Sequence, residues 1–168
     1  MIERLVAAVR QLTELPGLGV LQNFHPLVVH YPMALLSGAA AIYAISWAAR
    51  RELWAWTGLW ILGLGTVGAA LAVWTGLRAG ESVMLAPAVR DRILAHHKHY
   101  MLASFGLSVV LSAWALAARP MPRRGRLAFF TLLLLMVALI AKGADYGAWM
   151  VYGYNAGGSL PQPIEFSQ

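Results

Sequence analysis

Residues Leu27–Ala49 read LVVHYPMALLSGAAAIYAISWAA, a run with no Asp, Glu, Lys or Arg before Arg50. A hydrocarbon core takes a helix of about 20 apolar residues, so this one stretch is long enough to cross a membrane. Leu53–Leu77, Ile93–Ala118 and Leu127–Gly147 satisfy the same criterion. Of the 168 residues 60% are hydrophobic and 12% charged, more apolar surface than a soluble domain of this size can hide. The runs are continuous and rich in Leu, Ala and Gly instead of alternating, so helices and not barrel strands satisfy the backbone in lipid. We expect an all-α integral membrane four-helix bundle, connected up-down-up-down, as a single domain over 1–168.

Upstream of the first span, Met1–Leu15 carries Glu3, Arg4, Arg10 and Glu14, which exclude a span or a signal peptide. Ile2, Leu5, Val6, Val9 and Leu12 recur at helical spacing there, and an interfacial amphipathic helix ended by Pro16-Gly17 is expected. Downstream, residues 154–168 read as an exposed tail. The connection Arg119–Arg126 holds Arg119, Arg123, Arg124 and Arg126, and Arg50 and Arg51 lie on the same side. The positive-inside rule makes that side cytoplasmic and puts both termini outside, in the periplasm if the membrane is a bacterial inner membrane. The formal charge of +6 is thus explained by topology and anionic lipid, not by nucleic acid. The seven tryptophans cluster near span ends, as interfacial anchors do.

Span parity brings unusual polar chemistry to one membrane face. The start of span one holds His25 and His30, the end of span two Arg78 and Glu81, the start of span three His96, His97, Lys98 and His99, and the end of span four Lys142 and Asp145. There is no cysteine, which excludes disulfides, iron–sulfur clusters, thiolate metal sites and covalent c-type haem. Pro26 suits the first turn of span one, placing His25 at the helix mouth and His30 about one turn deeper. An ionisable ring within a span faces the bundle interior by default. Small residues Ala34, Ser37, Gly38 and Ala41 share the face of His30, and Met101, Ser104 and Ser108 that of His97.

Spans one and three are diagonal in a simple bundle, and imidazoles from facing helices suit a haem iron. We expect His30 and His97 as ligands of a non-covalent haem b, with His25, His96 and His99 as alternatives. Span two contains GLWILGLGTVGAA, whose glycines leave room for a macrocycle, and Gly65, Ala69, Ala72 and Gly76 on one face should pack inward. Arg78, Lys98 and Lys142 are candidates to neutralise haem propionates, although Lys142 and Asp145 also suit an ion pair across one helical turn. Met33, Met84 and Met101 with the histidines make copper the alternative metal.

HPLVVHYP resembles the His-Pro-x-x-Val-His-Phe-Pro signature of a bacterial membrane family, domain of unknown function 2231. AVWTGL is similar to that family's Thr-Gly at the end of span two, HHKHYM to its span-three histidine, and GAWMVYGYNAGG to its Gly-rich C-terminal turn; Tyr31 replaces the usual Phe. The resemblance implies a four-span, cytochrome-like module. The function expected is electron transfer between a quinone pool and an outer-face redox partner, as a subunit of a larger complex or a homo-oligomer and not a complete enzyme. A non-redox accessory subunit and a His/Met copper protein are the competing expectations.

Overall fold

The computed structural model describes residues 2, 4–6, 13, 21, 23–83 and 85–156. Four helices in it are long and apolar enough to span a membrane: α1 His25–Ala49, α2 Glu52–Ser82, α3 Pro87–Ala118 and α4 Arg126–Gly153. The close pairs are α1 with α2, α3 with α4, α2 with α3 and α1 with α4, which leaves α1 and α3 diagonal. This is the expected all-α bundle. The interfacial helix expected over 1–15 lies mostly outside the described residues, as do Met84 and the tail from 157 onward.

Three helices overrun their apolar stretches at the histidine end. α2 continues past Leu77 to Ser82, α3 starts at Pro87 instead of Ile93, and α4 runs past Gly147 to Gly153. Hydropathy stops at the first charges, whereas a helix keeps its backbone bonds into the headgroup region, where Arg78, Glu81 and Asp91 are exposed. At 31 residues, α2 is about 46 Å long, well beyond a hydrocarbon core of about 30 Å. Two of the extensions wind as π-helical turns, Arg90–Leu94 in α3 and Trp149–Gly153 in α4. They touch each other, and Val89, Ile93, Leu94 and Met150 close a small apolar cluster between them.

The other end of the bundle holds the dense core. Tyr43, Leu62, Leu111, Phe129 and Met136 are fully buried there. The Tyr43 ring meets Phe129 edge-on at 5.1 Å, and its hydroxyl donates to the Pro120 carbonyl at 3.1 Å. Glycines on α2 admit large neighbours from α1. A Cβ on Gly58 would stand 3.1 Å from the Tyr43 ring, one on Gly65 2.8 Å from Leu36, and one on Gly68 2.6 Å from Tyr31. Gly65 and Ala69 are buried and Ala72 and Gly76 half-buried, so the small-residue face does turn inward. Trp60, Val67, Leu71 and Leu134 stay exposed on the outside, the surface that lipid covers.

Candidate cofactor site

Where the dense core stops, a cavity of about 440 Å³ opens among the four helices. That is ordinary for a small-molecule or cofactor site, for which about 300–1,000 Å³ is typical. His25, His30, His97 and Lys98 line it, with Met33, Leu36, Ala69, Ala72, Gly76, Gly80, Met101 and Phe105 among its apolar walls. Among the described residues no Asp or Glu lines it. Polar groups are few and aromatic or aliphatic walls many, the composition that orients a largely apolar ligand.

The hydrogen bonds around each ring fix its tautomer. His97 Nδ1 lies 2.8 Å from the Gly143 carbonyl. A carbonyl only accepts, so Nδ1 carries the hydrogen and Nε2 keeps its lone pair. His30 is set the same way by the Pro26 carbonyl at 2.8 Å. His25 Nδ1 lies 3.1 Å from Thr75 Oγ1, whose single hydroxyl hydrogen is already directed to the α2 carbonyls of Leu71 and Ala72 at 3.0 and 3.1 Å. With that hydrogen on the helix carbonyls, Thr75 accepts from His25, and the third ring also presents a bare Nε2. Anchoring one ring nitrogen so that the other is free to ligate is the usual support of a metal-binding histidine.

Glycine makes room for two of these rings. A Cβ on Gly76 would lie 2.7 Å from His25 Cε1 and 3.2 Å from its Nε2, and one on Gly147 would lie 3.2 Å from His97 Cε1. Gly80 similarly passes the Lys98 stem, with Cε 3.1 Å from its would-be Cβ. At the same end Arg90 donates to the Gly80 and Val83 carbonyls at 2.7 and 2.8 Å, tying the end of α2 to the π turn of α3.

The expected site residues divide into those inside the cavity and those outside. His25 and His97 both line it and are half-buried, whereas His30 lines it and remains exposed. His25 and His30 are five residues apart, about 140° around a helix. His25 therefore turns to α2, and that contact was missed in treating it as a residue of the helix mouth. The available signal was Thr75-Gly76, whose hydroxyl and missing side chain receive the ring. His96 is exposed, directs Nδ1 to the Arg92 carbonyl and stacks on Tyr146, with 5.3 Å between ring centroids. His99 is exposed and does not line the cavity.

Arg78 also lies outside, its guanidinium 5.6 Å from the Trp74 ring centroid. Lys142 is paired with Asp145 at 3.3 Å, in the exposed position expected for an i,i+3 ion pair. Of the three candidate cations, Lys98 is the one that lines the cavity. Among the described residues no group of three or more His, Cys, Asp or Glu side chains gathers to hold a bare metal ion. A macrocycle that brings its own four nitrogens needs just one or two imidazoles, so the donor set fits haem better than a bare cation.

A bundle of four apolar helices around such a cavity defines a multi-pass α-helical membrane protein. The family described as "Predicted membrane protein (DUF2231)" matches residues 21–159, and the chain belongs to that family. No curated protein and no solved structure matches it.

Proposed function

We propose that the protein binds one haem b non-covalently in the histidine cavity and transfers electrons within the membrane. The observation that carries this reading is the set of anchored imidazoles, each with a bare Nε2, around a cavity whose described lining is apolar and without carboxylates. His97 from α3 and a histidine of α1 hold the cofactor. His25 is favoured over His30 because its ring is half-buried and braced by Thr75 and Gly76. When bound, haem would supply reversible one-electron chemistry to a chain that has no cysteine. The apolar walls exclude water, Gly143 and Thr75 hold the ring hydrogens on Nδ1, and Lys98 offers a positive charge to a carboxylate at the rim. With the arginine-rich connections taken as cytoplasmic, the cavity opens toward the outer face, where a quinone and a periplasmic carrier are the partners proposed.

Haem titration of the purified protein in detergent tests the assignment. Wild type should bind one equivalent with a low-spin spectrum. His97→Ala and His25→Ala should each abolish or convert that spectrum, while His30→Ala should keep it. If His30→Ala alone converts the spectrum, His30 is the α1 ligand; unchanged spectra in all three variants reject the site.

Copper is the second reading, favoured by Met33 and Met101, whose thioethers line the same cavity as the histidines. Metal analysis separates the two. Stoichiometric copper in a colourless reduced protein supports copper, and iron with a haem spectrum supports the first reading.

A further inference from the structure

A second pocket, of about 500 Å³, lies at the end of the bundle opposite the histidines. Arg50, Arg51 and Glu52 line it from the α1–α2 turn and Arg119, Arg123 and Arg126 from the α3–α4 connection, with Trp47 beside them. Five guanidiniums thus face one carboxylate. Among the described residues none of the five is joined to an acid by an ion pair, the pair at Lys142 being at the far end. Arg126 Nε is buried and has no hydrogen-bond partner among the described residues. Buried donors are normally satisfied, so this N–H is short of an acceptor in a pocket that is already strongly positive.

The pocket is also held in shape before anything binds. Arg50 is in the left-handed region with φ 53°, and its N–H closes onto the carbonyls of Ser46 and Trp47. Ser46 Oγ donates to the Arg51 carbonyl at 3.0 Å, and Tyr43 fastens the opposite wall through Pro120. Trp47 stacks on Phe130 with ring centroids 4.8 Å apart, an aromatic pair at the end of a span, where headgroups lie.

We propose that this pocket is a binding site for a phosphate group, most fittingly the phosphodiester of an anionic phospholipid. Guanidiniums bind phosphate oxygens through paired N–H donors, and basic pockets between spans recognise anionic headgroups. A phosphate among these guanidiniums relieves the repulsion among the five cations. Trp47 and the apolar rim of α1 and α2 suit the glycerol and the acyl chains that a lipid would bring. The inference stands apart from the haem reading, because it uses no residue of the histidine cavity.

The test measures the thermal midpoint of delipidated protein in a neutral detergent against added phosphatidylglycerol, phosphatidylcholine or inorganic phosphate. Phosphatidylglycerol should stabilise wild type well beyond phosphatidylcholine. Arg123→Gln and Arg126→Gln should each weaken the apparent affinity about fivefold, the effect of about one basic residue near an anionic surface, and Arg78→Gln at the other end should leave it unchanged. Stabilisation by inorganic phosphate that is lost in the same variants also supports the site, with a soluble phosphate as its source. If Arg126→Gln does not fold, the exposed Arg123→Gln and the comparison of lipids on wild type still decide. Equal stabilisation by both lipids, or an anionic preference that both arginine variants retain, overturns the proposal.

Discussion

At His25 the ring is positioned by two residues fifty and fifty-one places away, Thr75 accepting from Nδ1 and Gly76 leaving space for Cε1. This explains why the cavity-facing side of α1 was only half legible. Helical offsets rank His25 and His30 by depth, but they do not contain the partner across the interface that turns one of them inward. His97 was more legible, because Met101, Ser104 and Ser108 mark its face within the same helix. Two predictions belong to this scale. Thr75→Val removes the acceptor of His25 and should lower haem affinity about 10–100-fold, the usual effect of losing a support behind a ligand, as measured by haem titration. Gly76→Ala places a methyl group 2.7 Å from His25 Cε1; the protein should stay folded by circular dichroism while its haem spectrum broadens or converts.

The elements show a different balance between what was legible and what was not. Continuous apolar runs identify four spans because lipid forces each segment to satisfy its own backbone. The extra turns at the histidine end escape that logic, since water as well as lipid can cover them, and so do the π turns, which depend on how α3 and α4 meet. Small residues along α2 were readable as a packing face, and the structure gives the partners: Tyr43 on Gly58, Leu36 on Gly65 and Tyr31 on Gly68. Gly65→Val should wedge α1 from α2 and cost about 1–3 kcal/mol, as overpacking does, seen as a lower thermal midpoint in detergent. Arg90→Leu deletes two charge-assisted bonds to the end of α2, and a loss of about 2 kcal/mol is expected by the same measurement. Lys142→Ala is the contrast. Its pair with Asp145 is exposed at both ends, and exposed pairs contribute about 0–1 kcal/mol, so neither the midpoint nor the haem spectrum should change.

Across the whole molecule the two halves of the bundle do different work. Beneath the arginine pocket the spans are filled by interlocked aromatic and aliphatic side chains, while toward the histidine end they keep an apolar cavity of about 440 Å³ that a stable packing would otherwise close. An apolar cavity in a bundle forfeits contact energy, and a ligand that fills it returns those contacts. Span parity was enough to gather the histidines at one end, but the volume between them follows from small residues of two helices, Ala69, Ala72 and Gly76 of α2 and Ala144, Gly147 and Ala148 of α4, lining it at that level.

The central claim is that haem fills this space on His97. The visible spectrum of the purified protein, oxidised and dithionite-reduced, tests it most directly when wild type and His97→Ala are both expressed with ample haem. Wild type should show a Soret band with sharp reduced α and β bands, absent or converted in the variant. A folded wild type that stays colourless, or a variant whose spectrum matches wild type, would contradict it.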